Sequence, residues 1–309
     1  MRNLKTNVAI VLTSLFLISQ TTVAEELRIG TATQGGAFYP VGQAVSTLVT
    51  NHAEGLEMVP VVTQGSVQNP KLVNSGEIDV GITNNNLAVL ANKGMGAYKK
   101  SGAMELRAIG PLHFSVLHMI TGADSDIKTV ADLKGKKLAL GPAGGGTIPF
   151  VKQILGLHDL TLKDITPSFL SYADGFSQLS DGNVDAVFAL SGYPASAVVQ
   201  ARVNKELKFI KFAPGVLAKA LEQYPNYSEI VITKDVYDMQ ADGSALGVSN
   251  ILFVRAELEE EKAYKLTKAI YSHMDEFKQM NATAKQIIVE NATKLKIPLH
   301  PGAERYFNE

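Results

Sequence analysis

Six short segments concentrate the side chains that could hold a small polar molecule: residues 31–39, 63–69, 83–86, 141–147, 171–175 and 191–194. They are rich in Gly, Ser, Thr, Asn, Gln and Tyr and almost free of charge. Glycine lets the backbone come close to a ligand. Each segment runs toward a helical pattern, whose first N–H groups have no intrahelical partner. A helix start carries about half a positive charge, so such turns suit a carboxylate or another anion. One glycine-rich turn could merely join a strand to a helix; six of one polarity point to a site. The candidate ligand residues are Gln34, Gly35, Phe38, Tyr39, Ser66, Asn69, Asn84, Asn85, Gly145, Thr147, Asp174 and Tyr193. Backbone N–H groups with Ser66, Asn69, Asn84, Asn85 and Thr147 are expected to hold the anion, and Tyr39 and Tyr193 to add walls and hydroxyls. Loss of the Asn69 or Thr147 side chain is expected to weaken binding by about 1–3 kcal/mol. Asn86 reads as a helix cap.

Catalytic patterns are missing from the same segments. Gly141-Pro-Ala-Gly-Gly-Gly-Thr147 has no Lys before its Thr and so is not a phosphate-binding P-loop. Neither glycine turn spells G-x-G-x-x-G, and no G-x-S-x-G elbow exposes a serine. With no cysteine there is no thiolate nucleophile or thiolate metal site. The six histidines lack ligand spacing, and His113 and His118 read as strand residues. Asp79 and Asp185 read as strand or turn geometry, Asp174 and Asp181 as caps rather than catalysts. A binding protein without catalytic residues, metal or cofactor is the expectation. The arginines beyond residue 24 are Arg28, Arg107, Arg202, Arg255 and Arg305, none of them on the six turns. A guanidinium fork is therefore not expected to grip the ligand.

The elements that must position these turns follow an α/β pattern. Leu27-Arg-Ile-Gly30 reads as a strand, Pro40 can open a helix, and Val41, Ala44, Val45, Leu48 and Val49 recur at helical spacing. Strands at 59–63 and 77–83 complete a first unit. The order then repeats, with strands at 138–141 and near 168–171. Gly182-Asn-Val-Asp-Ala-Val-Phe188 mirrors Gly76-Glu-Ile-Asp-Val-Gly-Ile82 at an offset of 106 residues, and Gly141 follows Gly30 by 111. This is a duplication of two α/β units, too long for a solenoid repeat. Residues 112–121 and 248–254 are apolar, β-branched runs between the units and read as strands that cross from one lobe to the other and serve as the hinge. A long helix through Ala263, Leu266, Ile270, Met274 and Phe277, and a second through Ala284, Ile287, Ile288 and Leu295, are expected to pack on the first lobe. The expected division is a discontinuous lobe 1 (25–112 plus 250–309), lobe 2 (113–249), and a cleft between them.

Composition fits this picture. At 309 residues the chain is about twice a typical domain. A formal charge of −1 with no basic run argues against nucleic acid. Arg2 and Lys5 precede the apolar stretch 8–18, and Thr22-Val-Ala24 offers small residues for cleavage. Eleven apolar residues are too few to span a membrane, so residues 1–24 read as a signal peptide and the mature chain as an exported protein.

These motifs resemble those of the TAXI family, the solute receptors of one branch of tripartite ATP-independent periplasmic (TRAP) transporters. The resemblance rests on Gly30-Thr-Ala-Thr-Gln-Gly-Gly-Ala-Phe-Tyr-Pro40, Gly65-Ser-Val-Gln-Asn69, Ala131-Asp-Leu-Lys-Gly-Lys136, Gly141-Pro-Ala-Gly-Gly-Gly-Thr147 and Ile297-Pro-Leu-His-Pro-Gly-Ala-Glu-Arg-Tyr306, which run the mature length in order. It implies a type II periplasmic-binding-protein fold, a monomer that closes on a small organic acid or amino acid (glutamate-like or a dicarboxylate), and delivery to a permease driven by an ion gradient. The sequence departs from that pattern at Asn84-Asn85-Asn86, where many relatives have Gln-Ser-Asp, and at Phe38, where a tyrosine is common. An ABC-type or sensory receptor would share the fold and cleft. A periplasmic enzyme on the same scaffold would need an acid–base pair there.

Overall fold

The computed structural model describes residues 24–309; the leader expected at 1–24 lies almost wholly outside the described residues. In chain order the first unit holds β1 (Glu25–Gly30), α1 (Phe38–His52), β2 (Leu56–Val61), α2 (Asn69–Ser75), β3 (Val80–Asn84) and α3 (Asn85–Asn92). The long strand β4 (Leu106–Gly122) leads to β5 (Lys137–Ala139), α4 (Thr147–Gly156), β6 (Thr166–Ser168), α5 (Tyr172–Ser180), β7 (Ala186–Ser191) and α6 (Ser196–Asn204). Then come β8 (Leu207–Phe209), α7 (Val216–Gln223), β9 (Ser228–Ile232) and the second long strand β10 (Gly243–Arg255). Helices α8 (Glu260–Tyr271), α9 (Met274–Met280) and α10 (Pro301–Phe307) end the chain.

The strand order is β2-β1-β3-β10-β4-β7-β5-β6, with β8 added to β4 and β9 to β10. Each unit is parallel within itself, β1 pairing with β2 and β3, and β5 with β6 and β7. The duplication thus reappears as two copies of one topology. It extends to single atoms: the Asp79 carboxylate accepts from the Arg28 N–H at 2.8 Å, and the Asp185 carboxylate from the Lys137 N–H at 2.7 Å. In return the Asp79 and Asp185 N–H groups donate to the carbonyls of Arg28 (2.9 Å) and Lys137 (2.8 Å). Each aspartate locks the third strand of its unit to the first.

The two long strands pair with each other and with both units. In β10, residues 250–254 face β3 and 243–247 face β9; in β4, residues 116–121 face β7. The β4–β10 register shifts between Ser249 and Ile251 and again between Leu252 and Phe253, bulges that bend a pair of strands where it passes between layers. Each side of the crossing has its own core. Val41, Leu48, Leu252, Leu266, Ile270 and Phe277 form one, and Leu138, Phe150, Ile154, Phe188 and Leu246 another. Buried side chains of this size contribute about 1.5–3 kcal/mol each.

Helices α8 and α9 do pack against α1, and α10 packs on α8, yet two details differ from the periodicity. The long helix breaks at Ser272 and His273, where His273 leaves helical geometry (φ −118°, ψ 36°) and stacks on His52 at 3.6 Å. The stretch expected as a second helix forms two short 3-10 segments, Ala282–Gln286 and Val289–Lys294, parted by the extended Ile287 and Ile288. β-Branched side chains favour that backbone. Among the described residues no helix is long and apolar enough to cross a membrane.

Candidate ligand-binding cleft

The strand ends of the first unit are gathered by one side chain. The Asn69 Nδ2 donates to the carbonyls of Gly30 (3.1 Å), Thr31 (2.8 Å) and Ile82 (2.7 Å), and Oδ1 accepts from the Thr63 hydroxyl at 2.7 Å. Its polar capacity is spent within the first unit, so Asn69 positions three turns rather than reaching a ligand. Tyr172 and Thr147 do the corresponding work in the second unit. Their hydroxyls lie 2.6 Å apart, the phenol also donates to the Leu190 carbonyl (3.0 Å), and the Leu190 N–H lies 3.2–3.3 Å from both oxygens. Burial pushes the Tyr172 phenol up to about 12, so it acts as a neutral donor.

The turns of the two units then meet. Val67 and Gln68 N–H groups donate to the Gly144 carbonyl at 3.0 and 3.2 Å, and the Gly144 N–H donates to Gln64 Oε1 at 2.7 Å. Ala37 N–H donates to Ser191 Oγ (2.9 Å), Ala197 N–H to the Gly35 carbonyl (3.2 Å), and Gln286 Nε2 to the Tyr193 carbonyl (2.6 Å). Two glycines make this approach possible. Gly35 has φ +92°, and a Cβ there would lie 2.6 Å from the Ala173 nitrogen. At Gly146 a Cβ would lie 2.3 Å from Asn84 Oδ1.

A small cavity remains where the turns converge, bounded by Thr33, Phe38 and Ser66 on one side and Gly145, Gly146 and Tyr172 on the other. It offers about 20 Å³ of space, enough for one water molecule. The turns of the two units thus lie in contact around it. No charged side chain bounds the space. The starts of α1 and α4, one from each lobe, border it, and a helix start carries a partial positive charge. Ser66 Oγ has no hydrogen-bond partner among the described residues and is a free hydroxyl at the wall, while the Ser66 carbonyl accepts from Thr83 at 2.7 Å.

The other sequence candidates fall in several places. Phe38, Ser66 and Gly145 border the cavity. Gly35, Asn84 and Thr147 sit at the lobe contact or just behind it, Asn84 donating to Asn250 Oδ1 at 2.7 Å. Gln34 is exposed, Tyr39 half-buried, and Asp174 an exposed partner of the Ser171 cap of α5 at 2.6 Å. Tyr193 is half-buried and meets Gln286 through its carbonyl. Asn85 faces away from this cavity toward Ser249 and the Lys296 N–H (3.4 and 3.3 Å). Sequence reasoning missed Tyr172, Gly146 and Gln64. All three lie inside the candidate segments 63–69, 141–147 and 171–175, which was their one signal.

Behind Phe38 lies His113, edge-on to its ring at 5.8 Å. It is fully buried, neither ring nitrogen has a partner, and burial lowers its pKa to about 3. His118, lowered to about 4 mainly by burial, is held by the Tyr237 hydroxyl at 2.8 Å. Among the described residues no group of three or more His, Asp or Glu could hold a metal ion.

Two α/β units on a shared pair of crossing strands, with neutral turns of both facing each other, make the architecture that of periplasmic binding proteins. The chain belongs to the NMT1-like family, whose model matches residues 29–309. A putative aliphatic sulfonates-binding protein of Escherichia coli (strain K12) is 28% identical over 199 residues, 62% of this chain and 57% of that protein. The match thus spans little more than half the length of that curated relative. Among solved structures, PhnD1 from Prochlorococcus marinus (MIT 9301) in complex with methylphosphonate aligns with a TM-score of 0.56 at 11% identity, covering 88% of this chain and 94% of that one. A putative L-cystine ABC transporter protein from Listeria monocytogenes aligns with a TM-score of 0.52 at 11% identity, covering 85% and 96%. At such identities the likeness is one of fold. The family found is the NMT1-like one; the resemblance of the motifs to the TAXI family remains a finer reading.

Proposed function

We propose that this chain is an exported solute-binding protein that closes on a small oxyanion-bearing solute and presents it to a membrane transporter. One observation carries the reading: a cavity without charged side chains, bordered by a helix start from each lobe and shut by hydrogen bonds between glycine turns. Oriented N–H groups in an enclosed, low-dielectric site hold carboxylate, sulfonate or phosphonate oxygens without a guanidinium. The names of the relatives support sulfonate or phosphonate, and one of them an ABC-type transporter. The TAXI-like motifs support a carboxylate, such as an amino acid or dicarboxylate, and a TRAP-type permease. A thermal-shift screen of the mature protein with amino acids, dicarboxylates, alkanesulfonates and alkylphosphonates separates the classes, since a ligand at a hundred times its Kd stabilises by about 2.7 kcal/mol. Stabilisation by neutral solutes alone would overturn the anion assignment. A neighbouring gene for an ATPase or for a multi-span permease, with co-purification of the product, decides the partner.

A further inference from the structure

A second cavity lies at the hinge, with a volume of about 220 Å³ and no wall residue in common with the cleft. Its walls come from three places. Leu112, Phe114 and Ser249 belong to the crossing strands, Asn85, Asn86 and residues 288–296 to the first lobe, and Pro225, Asn226 and Ser228 to the second. Lys294 and Lys296 are its charged residues, no carboxylate shares the wall, and neither lysine forms an ion pair among the described residues. Hydrogen bonds from Asn85 Nδ2 to Ser249 and from the Lys296 N–H to Asn85 Oδ1 fix one side of the wall. The buried Asn86 Oδ1 has no partner. Leu112, Phe114, Ile288 and Leu295 supply an apolar floor.

We propose that this hinge cavity is a second binding site, for a small organic anion with a short apolar body, and that its occupant sets the angle between the lobes. The apolar body would lie on Leu112 and Phe114, with the anionic head toward Lys294 and Lys296. Lys294 and Lys296 are exposed, so their charge pairing is that of a surface and the apolar floor must add to it. Because both lobes and the hinge form the wall, a molecule that fits one lobe angle biases the open–closed equilibrium. By linkage, cleft solute and hinge anion then change each other's affinity by the same factor.

The test uses the full mature chain with hexanoate as probe and hexanol as neutral control. Backbone NMR should show saturable shifts at Asn226, Ser249 and Lys296 with hexanoate, and at least tenfold weaker binding of hexanol. Lys294→Gln with Lys296→Gln should weaken hexanoate at least tenfold with the melting temperature unchanged. A Gly146→Ala protein, whose closed lobes are disfavoured, should still bind hexanoate at the hinge, with an affinity changed through that linkage. Shifts confined to residues 35–38 and 144–147, no saturable binding, or equal affinity in the double variant would overturn the proposal.

Discussion

Gly146→Ala should separate lobe closure from lobe stability. The added methyl would lie 2.3 Å from Asn84 Oδ1, and 3.2 Å from both Ser66 Cβ and Leu190 Cδ2. Asn84 and Ser66 belong to the opposite lobe. Asn84 cannot swing aside freely, because its amide donates to Asn250 Oδ1 at 2.7 Å and the Asn250 amide donates to Ser115 at 2.9 Å. The Leu190 contact lies within the second lobe and yields by a small rotation of a methyl group. Gly146 has ordinary right-handed geometry (φ −71°, ψ −18°), so alanine strains neither lobe alone. The cost falls on the closed state and amounts to about 1–3 kcal/mol, as for other overpacked contacts. Affinity for the solute found by screening should drop by about 5- to 150-fold, while the unliganded protein keeps a second lobe that unfolds normally. Calorimetric titration reads the first quantity and denaturant unfolding the second. Unchanged affinity would refute the claim that this contact closes the cleft.

Asn69→Ala should cost about 3 kcal/mol of stability, since buried carbonyls lose their donor; denaturant unfolding measures this, and the solute Kd should stay within a few-fold. His113→Leu tests an acid limb. Because the folded His113 is held neutral down to about pH 3, only the unfolded chain takes up its proton as pH falls below about 6.5. Stability contributed by neutral burial is thus present above that pH and lost below it, by about 1.4 kcal/mol per pH unit; the variant should show a shallower loss between pH 6 and 4 in melting experiments. Asp79→Ala and Asp185→Ala should each lower stability by about 1 kcal/mol in denaturant unfolding, with similar values because both make the same pair of strand contacts.

The repeated units were legible because their signals are local: alternating apolar runs, a glycine-rich turn after the first strand of each unit, and an aspartate at matching points. The role of Asp79 and Asp185 in strand geometry was legible for the same reason. Which polar residues face a ligand was not. An asparagine that binds a solute and one that gathers three backbone carbonyls have the same chemistry, and only the fold shows that Asn69 is the second kind. Tyr172 reads as one residue of a polar turn, and only β7, which brings the Leu190 carbonyl to its hydroxyl, shows what it holds. Asn84 and Asn85 are adjacent in sequence, yet Asn84 meets Gly146 at the lobe contact and Asn85 lines the hinge cavity, because β3 ends and α3 begins between them. The C-terminal helix break also lay outside local pattern, since the stacking of His273 on His52 is a tertiary contact.

The central claim is that solute binding closes two lobes across the glycine turns. The chain has no cysteine, so Lys99→Cys in the first lobe and Lys152→Cys in the second, both at exposed positions, give unique spin-label sites. Pulsed electron–electron resonance should show a broad distance distribution without solute, and a shorter, narrower one at saturating solute. Identical distributions in the two conditions, with binding verified in the same sample, would contradict the account.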